Sequence, residues 1–159
     1  MSETSDLDDL MLKIIHKLLS SDLKDTIEEY INEQIKATAE KNHASVLNVE
    51  NGILNKIMDS RIFTTFHKAK CINKLYKEKE IGVKNFFSEY ERDIITTRNI
   101  FAHVKEINTD DGKSILISHV TGKEEIFNEE RCIEIRKKLI NYRNILESID
   151  NDIDSILID

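Results

Sequence analysis

Arg98, Asn99 and His103 stand close together in the stretch Arg98-Asn99-Ile100-Phe101-Ala102-His103. An arginine keeps its charge at any ordinary pH, and its planar fork matches phosphate oxygens. A histidine exchanges protons near neutrality. An asparagine amide can orient an imidazole or contact a substrate. Together these types fit cleavage of an RNA phosphodiester. His103 would serve as general base or acid toward the 2′-hydroxyl or the leaving oxygen. Arg98 would stabilise the charge that builds on the phosphoryl group, and Asn99 would hold His103 or the substrate. Such chemistry needs no metal. The sequence shows no carboxylate cluster of metal-binding pattern, so the expectation is a site with neither metal nor cofactor. One histidine does not easily act as both acid and base, and two copies of the chain at one cleft would supply both. Spacing alone does not single the motif out, because Arg61 and His67 are separated almost as Arg98 and His103 are.

The motif belongs to an expected helix over 83–103 with Val83, Phe87, Tyr90, Ile94 and Phe101 as its apolar stripe. At about 100° per residue, Arg98 and His103 point about 140° apart, whereas Asn99 lies four residues before His103 on one stripe. Arg98 shares a line with Ile94 and Glu91, which lays its stem along the apolar face. After His103 the period changes. Runs at 104–107, 114–118 and 124–127 are β-prone and separated by Asp110-Asp111-Gly112-Lys113 and Thr121-Gly122. They predict a small antiparallel hairpin or meander, with Asp-Gly as its turn.

The remaining elements are expected to be helical. The chain has no Pro and four Gly, so little in it breaks a helix. Leu7, Leu10, Met11, Ile14, Ile15, Leu18 and Leu19 make a broad stripe over 6–20, with Ser5 as cap and His16 at its boundary. Ser20-Ser21-Asp22 is a turn before a helix over about 22–40, with Leu23, Ile27, Tyr30 and Ile31 inward. His43 falls in the connection that follows. A shorter helix is expected over 46–59. Ser60 is read as the cap of another over 61–79, with Ile62, Phe66, Ala69, Ile72 and Tyr76 inward, lysines on the other faces and Gly82 as stop signal. Asn128, followed by Glu129 and Glu130, opens the longest helix. There Cys132, Ile135, Leu139, Tyr142, Leu146, Ile149, Ile153 and Ile156 keep a heptad rhythm, with Asp150-Asn151-Asp152 as a point of interruption. That stripe suits either the chain's own bundle or a dimer seam. The fold class is therefore mainly α, an antiparallel bundle of about five to six helices with a β insertion before the long C-terminal helix. One domain is expected over 1–159: N-terminal helices to about 59, core helices over 60–103, the insertion over 104–127 and the last helix over 128–158.

A formal net charge of −7 over 159 residues argues against a general nucleic-acid binder. The distribution is uneven. Lys56, Arg61, Lys68, Lys70, Lys74, Lys77 and Lys79 face only Asp59 and Glu78 between 56 and 79, while both ends of the chain are acidic. The basic segment points to an anionic partner, and Lys68, Lys70, Lys74 and Lys105 are the candidate RNA contacts. Cys71 and Cys132 lack metal-type spacing and read as small buried hydrophobes. No leader or long apolar run appears, so a cytoplasmic protein without membrane contact is expected.

The motif, the β-prone insertion after it and the long final helix resemble the HEPN family, the higher eukaryotes and prokaryotes nucleotide-binding domain. Phe66-His67-Lys68-Ala69-Lys70-Cys71-Ile72-Asn73-Lys74-Leu75 looks like the Lys-containing helix that precedes the family's motif helix. The likeness spans roughly residues 60–148. It implies an α-helical bundle, homodimers with both motifs in a shared cleft, and metal-independent endoribonuclease activity in a toxin–antitoxin or phage-defence setting, with an antitoxin or defence protein as partner. It places the catalytic pair at Arg98 and His103 and the polar partner at Asn99. A toxin subgroup carries Tyr two residues after the motif His; here that residue is Lys105, so regulation through such a tyrosine is not implied. Two alternatives stay open. One is a non-catalytic regulatory or interaction module similar to the mannitol-operon repressors. The other is a plain dimeric bundle in which Arg98 pairs with Glu91.

Overall fold

Apolar spacing dictates a helical chain, and the computed structural model is mainly α. It describes residues 2–41, 63–108, 110, 114–118, 124–126 and 128–157. Its elements are α1 (Ser2–Leu18), α2 (Lys24–Lys41), α3 (Thr65–Lys79), α4 (Phe86–Tyr90), a π-helical turn (Glu91–Ile95), α5 (Thr96–Ala102), strands β1 (Val104–Asn108), β2 (Ser114–Ser118) and β3 (Glu124–Ile126), and α6 (Glu129–Leu157). The expected helix over 46–59 lies outside the described residues. So do the Ser60 cap, Arg61, His43 and the Asp111-Gly112 turn.

The core is built around α1. Leu7, Met11, Ile14, Ile15 and Leu18 are all but fully buried, each stabilising the fold by about 1.5–3 kcal/mol relative to exposure. The helix packs on α3 and α6. It begins at Ser2, so Ser5 sits within it and is not its cap. His16 is exposed. Ser21 joins α1 to α2: its hydroxyl donates to the Leu18 carbonyl at 2.7 Å and accepts the Leu23 N–H at 3.1 Å. From α2, Ile27, Ile31 and Ile35 enter the core.

The start of α3 differs from expectation. Phe63 and Thr64 are not helical, and Thr64 is the cap. His67 reciprocates, because its Nδ1 accepts the Thr64 N–H at 3.2 Å. An imidazole thus fills the place that Glu or Gln takes in a capping box. The far end also departs from the sequence reading. Glu80, not Gly82, is the C-cap, in the left-handed conformation with φ 57°, and its N–H donates to the Tyr76 carbonyl at 3.0 Å. Gly82, at φ 94°, lies against Ile149, whose Cδ1 a Cβ would meet at 3.0 Å. Lys68, expected on a surface face, is buried along with Ala69, Cys71, Ile72 and Leu75.

The β-prone runs form a three-stranded antiparallel sheet in the order β1-β2-β3, with Val104 opposite Ser118 and Asn108 opposite Ser114. β2 touches α5, and Leu116 is its buried residue.

Asn128 caps α6 as expected, its Oδ1 accepting the Arg131 N–H at 2.8 Å. The helix runs unbroken through Asp150-Asn151-Asp152. Asp150 is buried and pairs with Lys13 and Lys17, each at 2.6 Å. Two lysines from α1 remove the cost of a carboxylate at a helix–helix contact. The heptad stripe is used within the chain from Tyr142 through Leu146 and Ile149 to Ile153. Its outer members, Cys132 and Ile156, are exposed. Cys132 is thus not a buried hydrophobe. Cys71 is, and burial pushes its thiol up to about 12.

Candidate functional site

The motif helix is not a uniform α-helix. It starts at Phe86 and carries the π-helical turn at Glu91–Ile95. The Thr96 N–H and hydroxyl both donate to the Glu91 carbonyl, the latter at 2.9 Å. Asp93 fastens this turn to α6. It accepts from Arg92 Nε at 2.9 Å, from Lys138 Nζ at 3.2 Å and from the Tyr142 hydroxyl at 3.0 Å. Arg92, then the Tyr142 and Lys138 hydrogen bonds, hold the Asp93 carboxyl down at about 2 against the opposing effect of burial. Phe86, Tyr90 and Tyr142 meet as stacked and edge-on rings 5.0–6.0 Å apart.

An extra residue in the turn changes the helix phase. The buried line runs through Phe86, Tyr90, Ile94 and Thr97. Val83 is exposed and Phe87 half-buried, so the expected stripe is displaced. Arg98 and Asn99 are exposed beside that line, and the Arg98 stem does not continue the apolar face of Ile94. Arg98 Nη1 donates across to Thr65 Oγ1 at 3.4 Å, a long and weak contact. The guanidinium therefore reaches toward α3 rather than lying only along its own helix toward Glu91.

Between α3 and the motif helix lies a cleft of about 340 Å³. Thr64, Thr65 and Phe66 form one wall; Glu91, Ile95, Thr96, Arg98 and Asn99 form the other. His103 does not line it. His103 ends α5 with φ −129° and ψ 32°, and its N–H donates to the Ile100 carbonyl at 3.1 Å. Its side chain is exposed. The structure thus brings Arg98 and Asn99 together in one cleft and leaves His103 at the helix end, outside it.

Lys68 does not reach the cleft. Its Nζ lies 2.6 Å from Asp8 Oδ2, and the side chain is 4% exposed. This corrects its expected role as an RNA contact, since a lysine locked to a carboxylate inside the bundle cannot meet a phosphate. Lys70 lies over the rings of Phe66 and Phe87, at 4.5 and 5.3 Å. Lys74 pairs with Glu78 at 3.2 Å, and Lys105 is exposed on β1. Thr64 and Thr65 are cleft residues that the sequence did not single out, while Phe66 was expected in the core face of its helix and Glu91 only as a neighbour of Arg98. Periodicity along one helix does not show a cleft, because two helices meeting across the chain make it.

Among the described residues, no group of three or more His, Cys, Asp or Glu is placed to hold a metal ion, and no helix is long and apolar enough to cross a membrane. The chain matches no protein-family model, no curated protein and no solved structure.

Proposed function

We propose that the protein is a metal-independent endoribonuclease of HEPN type, acting in a toxin–antitoxin or phage-defence setting at a site completed by two copies of the chain. The observation that carries this reading is the exposure of Arg98 and Asn99 in one cleft, with His103 exposed at the end of the same helix. Arg98 is the phosphate contact and His103 the proton-transfer group, each ready to meet a substrate or the second copy. Ile133 and Ile140, 47% and 53% exposed and two turns apart on α6, supply apolar surface for that pairing. Lys70, Lys74 and Lys105 are the remaining candidate backbone contacts.

The test uses purified full-length chain and labelled RNA in the presence of chelator. Arg98→Ala and His103→Ala each reduce cleavage by roughly 100-fold or more. A mixture of the two variants regains part of the activity, because a mixed pair keeps one intact Arg98 and one intact His103. Cleavage that survives both changes removes these residues from the chemistry. Loss without recovery on mixing removes the shared site.

The separation of His103 from the cleft within one chain favours one alternative, a non-catalytic HEPN-like regulatory or interaction module. Wild-type chain that leaves RNA uncut at high concentration, yet binds a protein partner stably, selects it.

A further inference from the structure

The cleft carries one group that a bare phosphate site would not. Glu91 stands on the same wall as Arg98, and a carboxylate beside a bound phosphate repels it. A carboxylate is acceptor-only, with two oxygens side by side. It is matched by a ligand that offers two adjacent N–H donors. Among the nucleobases, guanine alone presents that edge, through N1–H and the 2-amino group.

The rest of the cleft agrees with a base. Phe66 supplies an aromatic wall, as expected where a splayed-out base is held. Its ring is fixed edge-on to Phe87 at 5.1 Å. The Asn99 amide offers donors for a carbonyl such as guanine O6. Neither the Glu91 carboxylate nor the Asn99 amide has a hydrogen-bond partner among the described residues, so both are unspent. Arg98 lines the same wall as Glu91 and reaches toward Thr65 on the α3 wall through a long 3.4 Å contact. The volume, about 340 Å³, accommodates a base with its sugar.

We infer that this cleft is a base subsite selective for guanine, with Glu91 reading the N1–H and 2-amino edge and Phe66 as the aromatic wall. The inference rests on the RNA reading above and deepens it: the substrate is single-stranded RNA with a guanine beside the bond that is cut.

The experiment titrates full-length protein with guanosine, adenosine, cytidine and uridine 5′-monophosphates and with inorganic phosphate, and maps cut sites on a mixed-sequence RNA. Guanosine monophosphate is expected to bind roughly 10- to 100-fold more tightly than the other nucleotides, the discrimination that one bidentate base contact confers. Glu91→Gln, which puts an amide donor where an acceptor is needed, should erase the preference while leaving thermal unfolding unchanged. Equal binding of all four nucleotides, or a preference that survives Glu91→Gln, overturns the inference. Binding of inorganic phosphate as tight as that of guanosine monophosphate also overturns it. RNA cut without regard to guanine, together with equal nucleotide binding, leaves the nuclease reading standing and removes the subsite. Selective guanosine monophosphate binding with RNA left intact does the reverse.

Discussion

The α1–α3–α6 interior and the cleft between α3 and the motif helix use the same side-chain types to opposite ends. In the interior, Lys68 meets Asp8, and Lys13 and Lys17 meet Asp150, at 2.6 Å in each case. Each of these charges has a counter-charge contributed by another helix. In the cleft, Arg98 makes a long contact to a threonine hydroxyl, while the Glu91 carboxylate and Asn99 amide have no hydrogen-bond partner among the described residues. Matched charges fix how helices sit. Unmatched ones at the surface cost little, since water solvates them, and they stay available to a ligand. A lysine count along α3 cannot separate these uses, but burial does.

The contrast can be broken first along α6, whose two halves repeat it in apolar form. Leu146 is fully buried, whereas Ile140 is 53% exposed. Leu146→Ala should destabilise the fold by about 3 kcal/mol in chemical denaturation. Ile140→Ser should change it by less than about 0.5 kcal/mol. Equal losses would mean that the outer half of α6 is packed as well as the inner.

Next in size is the interior ion pair. Lys68→Ala leaves Asp8 without its counter-charge and is expected to cost about 2–4 kcal/mol. Lys105→Ala, on an exposed strand, should leave the unfolding midpoint almost unchanged. A Lys68 variant that folds as stably as wild type would return this residue to the surface.

A smaller loss than those at Leu146 and Lys68 is expected at Asp93, which holds the π-helical turn to α6. Its folded pKa lies at about 2, below the ordinary carboxylate value of 3.8. Protonation is therefore harder in the folded state than in the unfolded one, so the carboxylate stabilises the fold above about pH 4. That contribution fades as pH falls from about 4 through 2. Asp93→Asn should lower stability at neutral pH by about 1 kcal/mol and flatten the acid limb of the stability profile in that window. An unchanged acid limb would show that Asp93 is not the group titrating there.

Much of the fold was legible in the sequence because period and caps are local signals. The α1 stripe, the Asn128 cap and the three β-prone runs all reappear where composition put them. The misses share a cause. Glu80 takes the left-handed position although Gly82 is nearby, and Thr64 rather than an earlier residue caps α3 with His67 as partner. These outcomes are settled by what packs around them, as Ile149 against Gly82 shows. The site was legible in part. Arg98, Asn99 and His103 were picked out by residue type, and two of them share the cleft. The helix wheel that put Arg98 in line with Ile94 and Glu91 assumed an unbroken α-helix, which the π-helical turn at Glu91–Ile95 rules out. Phe66 read as a core residue and Glu91 as a neighbour of Arg98, because their shared cleft depends on a wall 25 residues away in sequence, from Phe66 to Glu91.

The π-helical turn also governs which changes of length the motif helix tolerates. An insertion or deletion of one residue normally turns everything downstream by about 100°. Within 91–95 the surplus residue is already looped out of the α-helical phase, so removing it would close the turn to ordinary α-helix and leave Arg98 facing the cleft. A relative with a one-residue gap at that place keeps the same site, though its spacing from Phe86 to Arg98 differs. The same gap between 96 and 98 turns the arginine away. Relatives of this chain are therefore best aligned by anchoring Asp93 and Arg98 separately and letting the gap fall between Glu91 and Ile95.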